Sequence, residues 1–177
     1  MGEAVASQAT THTTCSSHRR YWLTCEQYER LVQACGDCCQ ICRRPAADCR
    51  PHRKLYVDHD QHYGVWAVRG LLCPRCNSLL ISDRPDPEWA QEYLAAPWFR
   101  RAYAAMGISV EHLPEPPVGS CFKSPKGTRW VRRDDCWQNE SFARGRRSWG
   151  ALCREFSPVQ LRRIKAPSTE HSVEVCA

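Results

Sequence analysis

The chain has 177 residues, 13 of them cysteine, with 25 Lys and Arg against 19 Asp and Glu for a net charge of +6. That length suits one domain with extensions. No apolar run is long enough to span a bilayer, and the polar start MGEAVASQATTHTTCSSHRR lacks the apolar stretch of a secretory signal, so the readings excluded are a membrane span and a secreted disulfide scaffold, and the expected setting is the reducing cytoplasm.

In chain order, residues 1–20 are small and polar and are expected to form a disordered leader. Order begins at YWLTCEQYERLVQACG. Thr24 with Gln27 three residues on makes a capping box. Tyr28, Leu31 and Val32 give an apolar face, and Gly36 is placed to end the helix. The expectation is a helix over residues 25–35. Two short strands are expected next, over residues 55–57 and 65–68, with a turn at Tyr63-Gly64. CPRCNSLLI opens a second helix, because Pro74 is tolerated in a first turn. DPEWAQEYLAAPWFRRAYAAM is helical with a break at Pro97, with Asp86 as cap and Pro87 as first helical residue.

Residues 106–120 form a Pro-rich linker. Residues 121–177 show no clear period and are expected to be an irregular basic extension, frayed at its end. The charge is unevenly placed: residues 1–118 carry 13 basic and 13 acidic side chains, whereas residues 119–177 carry 12 and 6. The whole excess lies in the last third, among tryptophans. That mixture suits phosphate contact with base stacking, or an inert solvated tail.

The cysteines cluster in CGDCCQICRRP, which holds two C-x-x-C pairs, Cys35/Cys38 and Cys39/Cys42. Another pair, Cys73/Cys76, follows Cys42 after 30 residues. Two such knuckles around a hairpin-sized insert match a tetrahedral four-cysteine zinc site, and in a reducing compartment clustered pairs point to metal. Cys35 falls in the last turn of the expected helix, whereas Cys39/Cys42 lies wholly beyond it and suits a knuckle better. Cys49 reads as a spare loop thiol.

Between the knuckles, YVDHDQHYG puts Asp58 and His59 at a strand end, and Asn77 follows the second knuckle. Pinning both knuckles can bring the three together. Asp and Asn oxygens suit Mg²⁺, and a neutral His beside them suits a general base.

The segment YWLTCEQYERLVQACGDCCQICRR…LYVDHDQHYGVWAVRGLLCPRCNSLL resembles the recombination endonuclease VII family of HNH nucleases, over roughly residues 21–95. That family's pattern runs through an LT-x-E/D-x-Y helix, C-x-I-C, and L-x-VDHDH-x-TG-x-VRGLLC-x-x-CN. The resemblance implies an α+β fold: a small ββα-metal finger between helices. It implies structural zinc on Cys39, Cys42, Cys73 and Cys76, and catalytic Mg²⁺ or Mn²⁺ on Asp58 and Asn77. It further implies His59 as general base and DNA as substrate. His62, Arg69 and Arg75 are then candidate phosphate contacts. The nuclease domain is expected over residues 21–105. Symmetric cutting of a branched DNA would take two sites and hence a homodimer.

The chain departs from the family pattern in three places. Gln61 stands where the second His of DHDH is usual, with His62 one residue later. HYGVWAVRG is longer than TG-x-VRG. Ser78, Leu79 and Leu80 stand where an acidic residue often follows the Asn. The alternative function is a non-catalytic, zinc-stabilised nucleic-acid-binding protein.

Overall fold

The computed structural model describes residues 16–82, 87–110, 113–142 and 145–167. Most of the expected leader therefore lies outside the described residues. Its end does not: Ser16–Arg19 form a helical turn, α1, and His18 is buried, stacked on Tyr28. Asp86 and residues 168–177 also lie outside the described residues.

Helix α2 spans Cys25–Cys35, as the capping residues predict. Thr24 accepts from the backbone N–H of Gln27, and the Gln27 side chain accepts from the backbone N–H of Thr24. Gly36 closes the helix at φ +62°, the left-handed region open to glycine without strain. The buried face carries Leu31 and Cys35.

Strands β1 (Tyr56–His59) and β2 (Val68–Leu72) form an antiparallel pair. The second strand begins where the sequence reading ends it. Residues 60–67 are taken instead by a folded loop, in which Gly64 donates to the Asp60 carbonyl and Asp60 to that of Ala67. Asp58 faces Gly70 and His59 faces Val68, so Arg69 is the extra residue of a β-bulge. Helix α3 (Pro74–Ser82) follows at once and packs on both strands. Leu23, Leu31, Leu55, Val68, Leu71, Leu72 and Leu80 form the core here, together with buried cysteines.

Pro87 precedes a short 3₁₀ turn at Glu88–Ala90 and is not the first residue of a helix. Helices α4 (Gln91–Ala95) and α5 (Trp98–Ala105) are separated at Pro97, where the break was expected. Phe99 and Tyr103 of α5 pack edge-on to Trp66.

The last third is not irregular. Strands β3 (Cys121–Lys123), β4 (Arg129–Arg132), β5 (Trp137–Asn139) and β6 (Arg146–Arg147) form one antiparallel sheet in chain order. Helices α6 (Trp149–Glu155) and α7 (Pro158–Leu161) follow. Phe122, Trp130 and Trp137 share a core with Leu152, Phe156 and Leu161. Strands of two to four residues are too short for a period of two to show, which hid the sheet. Among the described residues, no helix is long and apolar enough to cross a membrane.

This sheet unit is fastened to the first half through the end of α6. A helix leaves its last carbonyls without internal partners. Here the Trp66 indole donates to the Cys153 carbonyl at 2.7 Å, and the Trp22 indole to that of Glu155 at 3.0 Å. Gly64 lies so close to the Arg154 backbone that a Cβ would collide with it. The loop that is long relative to the family pattern is thus the one that holds α6.

Candidate functional site: a four-cysteine centre and an Asp-His pair

The sulfurs of Cys39, Cys42, Cys73 and Cys76 all lie within 4.8 Å of one another. Those of Cys42 and Cys73 are 3.7 Å apart. Thiolates at about 2.3 Å from a zinc ion sit about 3.8 Å apart in a tetrahedron, so the donor set and its spacing fit structural zinc. Burial raises the thiol of Cys42, but hydrogen bonds from the Arg44 backbone and from Cys39, Cys76 and Cys73 outweigh it and bring the group to about 7. Burial pushes Cys76 and Cys73 the other way.

Register decides between the competing pairs. Cys35 is buried at the end of α2, with its thiol donating to the Val32 carbonyl at 3.1 Å. Cys39 sits past the Gly36 turn and joins the cluster. Gln40 fixes the knuckle to the hairpin. Its backbone N–H donates to the Leu71 carbonyl, and its side-chain oxygen accepts from the Leu71 N–H at 2.7 Å. The Gln40 amide crosses Gly70 so closely that a side chain there would strike it.

Asp58 and His59 stand side by side at the end of β1. Asp58 is 3% exposed. Its Oδ2 accepts from Arg69 Nε at 2.7 Å and from the Tyr93 hydroxyl at 2.8 Å, and its Oδ1 accepts from Arg69 Nη2 at 2.9 Å. Burial opposes the Arg69 charge, and the Asp58 carboxylate more than restores it. Burial first, and then Asp58, holds the Tyr93 hydroxyl protonated. A carboxylate has about four lone-pair positions. Three are used, so Oδ1 keeps one for a hard cation. Arg69 is thus already the counter-charge of Asp58, which keeps room for at most one further partner on Oδ1.

His59 is half-buried, with its ring 5.4 Å from that of Tyr21. Burial lowers its pKa, helped by Arg69 and Arg20 and opposed by Asp58 and Asp60, which favours the neutral base form. Asn77 lies in the first turns of α3, one residue past Cys76, and its N–H donates to the Cys73 carbonyl. Asp60 accepts from the His62 N–H, and His62 is exposed. Arg75 is also exposed. The Arg69 guanidinium faces Asp58, and a phosphate there would compete with that carboxylate. Among the described residues, the four cysteines are the group of His, Cys, Asp or Glu gathered closely enough for a metal ion.

Tyr93, Gln40 and Tyr21 escaped the sequence reading. Tyr93 belongs to α4, some 35 residues beyond Asp58, and nothing in its local pattern marks a buried hydroxyl. Gln40 was visible only as the middle of a knuckle.

A hairpin and a helix brought together around four converging cysteines, with an Asp-His pair at the end of β1, define a small α+β domain with a possible metal site. Residues 14–96 match the family described as recombination endonuclease VII, a little under half of the chain. It is similar to the Gene 59 protein of Mycobacterium phage L5, 32% identical over 98 residues, covering 55% of this chain and 48% of that protein. The Gene 59 protein of Mycobacterium phage D29 is 29% identical over 98 residues, covering 55% of this chain and 47% of that protein. The chain thus spans about half the length of these curated relatives. No solved structure matches it.

Proposed function

We propose that the chain is a metal-dependent DNA endonuclease, with β1, β2 and α3 as an HNH-type ββα unit inside a nuclease domain of residues 21–105. The observation that carries this reading is the placement of His59. It is half-buried, biased to its neutral form, and borne on a hairpin that the four-cysteine centre ties to the helix bearing Asn77.

Zinc on Cys39, Cys42, Cys73 and Cys76 would fix the frame. Asp58 and Asn77 would hold Mg²⁺ or Mn²⁺, which supplies charge neutralisation at the scissile phosphate. His59 takes a proton from water, and the resulting hydroxide attacks phosphorus in line. The 3′ oxygen leaves, giving 5′-phosphate and 3′-hydroxyl ends. Arg69 and Tyr93 hold the Asp58 carboxylate so that its free lone pair has one direction. Arg75 and His62 lie exposed and contact flanking phosphates.

The direct test is end chemistry. Products of Mg²⁺-dependent cleavage should be sealed by DNA ligase without prior phosphorylation. Cleavage that persists without divalent metal, or products that ligase cannot join, would contradict the mechanism. A panel of linear and branched duplexes gives the substrate preference.

A further inference from the structure

We propose that the C-terminal sheet carries a second DNA-contact surface, a phosphate groove that binds duplex flanking the cut. This deepens the reading of the chain as a DNA endonuclease and rests on it. The groove has a volume of about 700 Å³, and among its lining residues are Lys123, Arg129, Arg163 and Lys165. Among the described residues, no acidic side chain lines it.

Its construction places like charges together. Lys123 and Arg129 are directly opposed across β3 and β4, an arrangement that destabilises a sheet unless something anionic offsets it. Lys165 is bound beside Cys121 by a pair of backbone hydrogen bonds at 3.0 and 2.9 Å. Arg129 has a counter-ion in Glu140 at 2.9 Å. Lys123, Arg163 and Lys165 have no carboxylate at ion-pairing distance among the described residues. Three uncompensated exposed cations in one concavity match a polyanion with regularly spaced charges, and duplex DNA is the polyanion a nuclease meets.

The groove is linked to the candidate site through neighbouring residues. Tyr21 touches the His59 ring. The next residue, Trp22, lines a second cleft with Lys126, Phe142 and Arg147, and that cleft shares Ser124 with the basic groove. Trp22 holds φ +58°, an uncommon conformation for a bulky side chain. Its indole bond to Glu155 and its packing on Phe156 keep it there. One dipeptide thus joins the His59 end of β1 to the basic sheet.

The test is the salt dependence of binding by the full chain to a fluorescent 20-bp duplex, in buffer without added divalent metal. The triple variant Lys123→Gln/Arg163→Gln/Lys165→Gln should lower the magnitude of the log K against log[salt] slope by about 2 to 3, and Lys165→Gln alone by about 0.9. A control with the same charge loss elsewhere, Arg30→Gln/Arg50→Gln/Lys54→Gln, should keep the wild-type slope. An unchanged slope in the groove triple, or an equal drop in the control, overturns the proposal. Nicking is read separately, on aliquots of the same proteins supplied with supercoiled plasmid and Mg²⁺. A wild type that does not nick but keeps the groove-dependent slope removes the nuclease reading and leaves the groove standing. Nicking with a groove-independent slope does the reverse.

Discussion

Arg69 donates to both carboxylate oxygens of Asp58, at 2.9 Å and 2.7 Å, from the bulge position opposite it in the hairpin. The Asp58 carboxylate is 3% exposed and the Arg69 side chain 16%. Removing one member of such a buried pair leaves a charge without compensation, at a cost of about 3–5 kcal/mol. Arg69→Ala should therefore lower the unfolding free energy by about that amount, measured by urea titration. Tyr93→Phe removes one hydrogen bond to the same carboxylate and should cost about 1.5–3 kcal/mol. A loss under about 1 kcal/mol in Arg69→Ala would mean that the pair is not buried as described.

The four-cysteine centre makes a different prediction. Cys39→Ser and Cys76→Ser should each lose bound zinc and much of the cooperative unfolding transition. Cys35→Ser should keep one zinc per chain by elemental analysis, because its thiol bonds to a helix carbonyl and lies outside the cluster. The opposite pattern would move the knuckle to Cys35/Cys38.

The loop at Gly64–Trp66 should control docking of the sheet unit. Gly64 has φ +121° and meets the Arg154 backbone. Gly64→Val has no room and no accessible conformation there. Limited proteolysis should then cut this variant in residues 113–120 faster than the wild type. Equal resistance in the two proteins would show that the junction does not depend on this loop.

A pH effect follows from His18. It is 4% exposed and its Nε2 has no hydrogen-bond partner among the described residues. Burial lowers its pKa below 6.5, assisted by Arg19 and opposed by Glu29. The unfolded chain therefore binds a proton more readily than the folded one. The stability from neutral His18 is fully present above pH 6.5 and is lost as pH falls through the depressed folded value. His18→Phe should flatten the decline in Tm between pH 7.5 and pH 5. An unchanged decline would place its origin elsewhere.

Local chemistry was legible in the sequence where it is dictated by neighbours in the chain. Thr24, Gln27 and Gly36 gave the ends of α2, Pro97 the break before α5, and the C-x-x-C spacing the four sulfurs that converge. What stayed hidden depends on distant partners. Trp66 read as part of a strand, because only the carbonyls of α6 reveal it as an anchor. The strands from Cys121 to Arg147 were too short to show alternation among the arginines. Asp58 looked like a free metal ligand because Tyr93 and Arg69 reach it only through the fold.

The central claim, that His59 activates water at the hairpin end, is tested most directly by nicking of supercoiled plasmid with Mg²⁺ or Mn²⁺. His59→Ala should lower the single-turnover rate by about 10²–10⁴-fold while keeping its zinc and its affinity for DNA. Equal rates for His59→Ala and wild type on supercoiled, linear and branched DNA would contradict the account.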